Sequence, residues 1–242
     1  MPSSDYGNRD EYRRLIAQRL VSWRTQHRET ELFVCADRLL ERFALEAVVR
    51  LRAVLDGYII RHPEFATSLV PVSPLPDAPP VIVDMCRAGF AGSVGPMAAV
   101  AGAFSQYVGR CLLQYSNEVI VENGGDIFMK ADSQRTVAVY AGESPLSLKL
   151  GLVIEPGPIS VCTSSGTVGP SLSFGHADAA VVVSRDACLA DACATRLGNE
   201  LKSADDIARA LDIITGIPGV LGAVAVVGDR CGAAGDIQLT AL

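Results

Sequence analysis

The sequence predicts an α+β fold in which a mainly antiparallel sheet is packed with helices. Three features lead there. Strand-like runs mix with helical stretches instead of following a strict strand-helix alternation. Those in the middle of the chain are separated by only a few turn residues, as hairpin strands are. No glycine fingerprint opens a helix after a strand: GDRCGAAGD, residues 228–236, precedes a strand, so a dinucleotide-binding parallel sheet is not expected.

Taken in order, apolar and polar residues alternate over 12–34 around the turn HRET, which predicts an early hairpin with Trp23 anchoring one face. Over 36–61, Leu40, Phe43, Ala47, Leu51, Val54, Leu55 and Tyr58 recur at helical spacing until Pro63 stops the pattern, giving a long amphipathic helix. SPLPDAPP, residues 73–80, has too many prolines to continue either element and reads as a connector into a strand around 81–83. GPMAAVAGAFSQYVGRCLLQY, residues 95–115, is helical, and its Gly- and Ala-rich first turns allow a sheet, a helix or a ligand to come close.

Strands are expected at 118–121, 127–130, 136–140 and 146–154, joined by turn residues, with another at 179–183. Helices at 188–197 and 204–214 follow, then the apolar run VLGAVAVVG and a last short strand at 236–240. There is no tandem repeat and no low-complexity segment. The 242 residues, about half of them apolar, suit one large domain or two intimate subdomains.

With 21 Lys and Arg against 27 Asp and Glu, the chain is acidic, and no stretch interleaves basic and aromatic residues; nucleic acid is not an expected partner. The first thirty residues are polar and arginine-rich without an apolar core, so neither a secretion signal nor a membrane anchor is expected, and the location is read as cytoplasmic. Seven scattered cysteines with no CxxC pair read as buried free thiols.

Three runs carry candidate chemistry: VENGGDI, CTSSGT and LADACAT. Together they offer a Gly-Gly loop, a hydroxyl-rich loop and a helix with oxygen ligands, the parts needed to hold a small phosphorylated ligand with a divalent ion such as magnesium. Asp191 and Thr195 lie four apart and so share a helix face, although an Asp near a helix start also serves as a cap. Asn123, Gly124, Gly125 and Asp126 follow a strand; they suit close ligand approach and equally suit an ordinary hairpin turn. Thr163, Ser164, Ser165, Gly166 and Thr167 supply hydroxyls and backbone donors for a pyrophosphate, or simply a solvated loop. His176, with Asp178 two residues on, is the candidate general base, where a structural histidine is the plainer alternative.

The order GPMAAVAGA, VENGGDI, TSSGT, LADACAT resembles the ApbE family of flavin transferases, which carry segments of the forms GGIAKGYA, NxGGDI, TSGxY and ADALAT in the same order. The resemblance covers roughly residues 90–200, with NGGDI and LADACAT its most specific parts. Over the whole length the chain looks closer to a family of uncharacterised, cytosolic ApbE-like proteins. The resemblance implies an ApbE-like fold that binds FAD with magnesium and transfers FMN to a Thr or Ser of an acceptor protein, releasing AMP.

By position, the resemblance assigns the metal to the side chains of Asp191 and Thr195 and the carbonyl of Ala98. It lays Gly124 and Gly125 against the dinucleotide and the 163–167 loop near its phosphates. Ala99 stands where the family has a lysine, Val168 follows the TSSGT loop in place of a tyrosine, and the HIIDP-type run has no match around His176. Two further roles stay open: a component of sulfur assimilation or homocysteine formation in anaerobes, with a pathway protein as partner, or a protein that binds the ligand without turnover.

Overall fold

The structure, a computed structural model, describes residues 13, 16–166 and 175–242. Its backbone is an eight-stranded sheet in the order β1-β2-β3-β4-β7-β8-β9-β10, every neighbouring pair antiparallel. The strands are β1 (Val21–His27), β2 (Thr30–Ala36), β3 (Val119–Asn123), β4 (Asp126–Ala131), β7 (Gly157–Ser164), β8 (Ala179–Ser184), β9 (Val220–Val227) and β10 (Arg230–Gly235). A second sheet, in the order β11-β6-β5, contains β5 (Arg135–Ala138), β6 (Leu150–Ile154) and β11 (Gln238–Ala241). The expected α+β class and antiparallel sheet are what the structure has.

The helices are α1 (Glu41–Arg61), α2 (Glu64–Thr67), α3 (Pro80–Gly92), α4 (Val100–Leu112), α5 (Ala187–Glu200) and α6 (Ile207–Thr215). One face of the large sheet packs on α5 and α6 through Phe128, Cys162, Val182, Cys193, Leu197 and Leu211, while the other meets the small sheet through Ile120, Met129, Val181, Val137 and Leu152. Covering both faces explains why β8 is buried along its whole length and reads AAVVV without a polar alternate before its last residue, Ser184. Among the described residues no single helix is long and apolar enough to cross a membrane, and the apolar pair α3 and Pro96–Leu112 is bent by 106° at the break between them.

Three local expectations need correction. The early hairpin is present, with His27 paired to Thr30 across the turn, but the stretch before it is not strand: Arg13, Ile16 and Ala17 are helical, and Ile16 and Ala17 bury against the sheet face that carries the small sheet. Residues 81–83 open α3 and are not a strand. Pro80 occupies the first helical position, where its missing donor costs nothing, and Val81, Ile82, Met85, Cys86, Ala88 and Gly89 continue a buried helical stripe. Finally, Thr163 and Ser164 belong to β7, a strand the hydroxyl-rich composition conceals. The long helix over α1 and the helix over α4 stand as expected, as do β3, β4, β5, β8, α5 and α6 apart from end residues. The strand expected at 146–154 begins only at Leu150, because 146–149 form a turn, and Arg230–Gly235, within GDRCGAAGD, is itself the strand β10.

Five of the seven cysteines are buried and Cys231 is exposed; all seven are free. Burial pushes the Cys35 and Cys193 thiols up to about 12. They therefore serve as small apolar packing groups, not as reactive thiolates.

Candidate functional site

The amino end of α4 is the point where the candidate segments meet. Its first residues are small, and Gly102 allows α5 to cross at close range: a Cβ at Gly102 would overlap the Ala187 carbonyl oxygen and press on the Cβ of Asp191. The preceding helical turn, Pro96–Ala99, also packs on α5 and places Ala98, half-buried, beside the same crossing. Gly92 of α3 also comes near, though less tightly, its hypothetical Cβ lying 3.0 Å from the Ala192 oxygen. The small residues of all three elements thus wrap around the first half of α5.

Asp191 points from α5 to the open end of α4. Its Oδ2 accepts the Gly102 amide at 2.8 Å, and the Ala101 amide interacts with the same carboxylate. A carboxylate on α5 therefore caps the exposed donors of α4, where the helix field also favours negative charge. From β3, Asn123 reaches the same turn, its Nδ2 donating to the Ala101 oxygen at 3.3 Å.

Asp126, the first residue of β4, is buried and its Oδ1 accepts the Thr163 amide at 3.2 Å. Burial first, and then the Asp126 charge, push Asp191 well above the usual carboxylate range; the Gly102 and Ala101 amides pull the other way and are outweighed. Among the described residues, no arginine or lysine is one of the groups that shift Asp191. Cys162 lies in the same neighbourhood: its Sγ donates to the Ala187 oxygen at 3.6 Å, and its thiol is pushed up by burial and by both carboxylates.

Between β3 and β4, Asn123 pairs with Asp126 across a two-residue turn, Gly124 at φ +66° and Gly125 at φ +122°. This is a hairpin turn that uses glycine for its backbone conformation. Nothing lies within 4 Å of a hypothetical Cβ on either glycine, so the space over the turn is open. The turn reading and the ligand reading of NGGD are thus compatible.

Thr195, one turn beyond Asp191, is half-buried on the same helix. Thr163 and Ser164 end β7, paired with Val181 and Ala180, and Ser164 is buried. Ser165 donates through Oγ to the Ala177 oxygen at 3.4 Å, and the Gly166 amide donates to the same oxygen at 2.9 Å. The hydroxyl-rich segment is therefore half strand and half a strap along 175–177. Thr167 lies outside the described residues.

His176 is exposed, its backbone amide donating to the Leu201 oxygen just past the carboxyl end of α5. Asp178 uses Oδ2 to accept the Gly228 amide at 2.7 Å, at the β9–β10 turn. The structure thus gathers Ala98, Asn123, Asp126, Thr163 and Asp191 around the start of α4, while Asp178 is engaged at another turn. Sequence reading passed over two members of this arrangement, Gly102 and Gln106. Their signal was the spacing of Gly102, Gln106 and Gly109 along one face of α4.

The residues fit a hard dication. Asp191 and Asp126 are both buried and close enough for their charges to interact, and the Thr195 hydroxyl and Ala98 carbonyl on adjoining elements would complete an all-oxygen donor set. Among the described residues no three His, Cys, Asp or Glu side chains form a ready metal cage. A dication held here would rest on one or two carboxylates and complete its shell with water and ligand phosphate oxygens, as magnesium commonly does.

Known proteins share this fold and sequence. The chain is 44% identical over 208 residues to a UPF0280 protein of Methanocella arvoryzae, covering 85% of this chain and 84% of that one. It is 42% identical over 201 residues to a UPF0280 protein of Methanococcus aeolicus, covering 80% and 81%. Among solved structures, the flavin transferase ApbE from Vibrio cholerae, an H257G mutant, superposes with a TM-score of 0.62 at 13% identity, covering 90% of this chain and 98% of that one. The apo flavinyl transferase ApbE of Pseudomonas stutzeri gives 0.57 at 13% identity, covering 92% and 94%. At such identities the likeness is one of fold. Residues 13–227 match the family described as AbpE bacteria, and the chain belongs to that family.

Proposed function

We propose that this protein binds a flavin dinucleotide with magnesium and transfers its FMN portion to a Thr or Ser hydroxyl of an acceptor protein. The observation that carries this reading is the meeting of Asp191 and Asp126 at the amino end of α4, beneath a Gly-Gly turn with open space over it. The flavin transferases of the same fold supply the ligand class. Asp191 and Asp126, the Thr195 hydroxyl and the Ala98 carbonyl would hold the ion. Magnesium, when bound, offsets the charge that grows on a pyrophosphate under attack.

In the transfer, the acceptor hydroxyl oxygen bonds to the phosphorus on the FMN side, the bond from that phosphorus to the bridging oxygen breaks, and AMP departs with that oxygen. The hydroxyl proton goes to a base, a role assigned to exposed His176. Asn123 and Asp191 brace the first turn of α4, and Asp126 steadies the end of β7, so the hydroxyl-bearing segment is held against the ligand.

A second reading, a protein that binds the ligand without turning it over, is favoured by Ala99 in the position of the family's lysine and by the engagement of Asp178 with Gly228. One experiment separates the two. Protein is incubated with FAD and magnesium, with and without EDTA, while thermal stability and released AMP are recorded. Stabilisation with EDTA-sensitive AMP is expected. Stabilisation without AMP selects the binding reading, and the absence of both signals rules out flavin.

A further inference from the structure

Gln106 takes no part in the proposed transfer, yet it is 1% exposed in the middle of α4. Its Oε1 accepts the Ala187 amide, the first of α5, at 2.8 Å. The opposite bond runs in the reverse direction, from the Gly102 amide of α4 to Asp191 of α5 at 2.8 Å. Each helix therefore satisfies an amino-terminal donor of the other, one turn apart on each partner. The two bonds enclose the closest approach of the helices, where the Ala187 carbonyl faces Gly102.

We infer that Gln106 is the positioning residue for Asp191. A helix that starts at a fixed point delivers a residue one turn later to a fixed place, and Ala187 is that starting point. Asp186 caps α5 locally through the Cys188 and Leu189 amides, at 3.0 and 3.4 Å, whereas Gln106 ties the start of α5 to α4 by a side-chain bond to the Ala187 amide. Cys162 of β7 and Arg87 of α3 hold the same end of α5 from other sides, through the Ala187 oxygen and Asp186. Losing the Gln106 bond loosens the register of α5 against α4, and with it the fit of the carboxylate to the Gly102 amide and to Asp126. Groups behind a metal ligand typically change affinity by about 10- to 100-fold when removed. The consequence for magnesium rests on the proposed reading of Asp191 as a ligand; the positioning itself does not.

The test uses Gln106→Met, which keeps an unbranched side chain but lacks the oxygen, and Leu112→Val, a core change at the far end of the same helix. In the metal-free protein, unfolding equilibria of Q106M, D191A and the double variant are expected to be non-additive by at least about fivefold, as for residues in one network. Additivity within about twofold would overturn the inference. Magnesium titration by calorimetry is then expected to show about tenfold weaker binding for Q106M and no change for L112V. Equal weakening in both would mean general loosening and would also overturn it. Should the wild-type protein bind no magnesium, the metal reading fails, and the metal-free cycle alone decides the role of Gln106.

Discussion

Asp191 accepts the Gly102 amide at 2.8 Å across 89 residues of sequence, so the carboxylate proposed to hold the cation is also the cap of a neighbouring helix. These two duties predict different outcomes for two substitutions. Asp191→Asn keeps an oxygen for the amide and removes a buried charge that faces Asp126. In EDTA it is expected to unfold at the same urea concentration as wild type or a higher one, while magnesium-dependent stabilisation and AMP release are lost. Asp191→Ala also uncaps α4 and is expected to be about 1 kcal/mol less stable. Urea unfolding of both variants in EDTA checks the order, and a D191N protein that keeps its magnesium response would remove Asp191 from the site.

Gly102 makes the same junction sensitive to a single methyl group. A Cβ there overlaps the Ala187 carbonyl oxygen, which is backbone and cannot swing aside. Gly102→Ala is expected to lose about 1–3 kcal/mol despite the higher helix propensity of alanine, because overpacking outweighs that gain. The companion Gly57→Ala, with nothing within 4 Å of its hypothetical Cβ, should be neutral or stabilising. Chemical denaturation of the two variants provides the comparison.

A charge network around Glu118 makes the fold sensitive to acid. Glu118 is buried, which alone would raise its carboxyl, but Arg19, the Asp132 amide and Arg135 together hold it near pH 2, at about 2 against an ordinary 4.5. Its folded-state value is depressed, so its stabilisation is fully present above pH 4.5 and is lost as pH falls toward 2. Arg19 is the largest of these lowering influences, but its side chain is largely exposed and solvent screening discounts what it adds to stability, whereas the Arg135 side chain is fully buried. Glu118→Gln leaves Arg135 with Gln18 but without its counter-charge and should cost about 3–5 kcal/mol at pH 7. Stability measured from pH 7 to 3 should fall less steeply in E118Q than in wild type.

Most of the scaffold was legible in local patterns, because hairpin strands and amphipathic helices advertise their own period. The stretch 81–83 was not: three apolar residues after prolines fit a strand as well as a helix, and only the continued stripe through Met85, Cys86 and Ala88 decides. β7 hid because ISVCTS mixes strand formers with hydroxyls that resemble a loop. For the site, NGGD and the spacing of Asp191 with Thr195 could be read directly. The effect of the Asp126 charge on Asp191 and the bond from Ala187 to Gln106 could not, since each joins elements that are far apart in sequence and adjacent only in the fold.

The Gly-Gly turn allows strain and ligand contact to be told apart. Gly124, at φ +66°, lies in the left-handed region that other residues enter at a cost of about 1 kcal/mol, whereas Gly125, at φ +122°, sits where side chains are rarely tolerated. Neither alanine would meet another atom within 4 Å, so the difference between the two variants is backbone strain alone. Gly125→Ala is therefore expected to be the less stable, by about 1 kcal/mol or more relative to Gly124→Ala. If the open space over the turn receives the dinucleotide, G124A, though the milder change for the fold, should still weaken FAD-dependent stabilisation, because its methyl group occupies that space. Thermal shift with and without FAD reads both quantities from one sample, and an unaltered FAD response in G124A would leave the turn a purely structural hairpin.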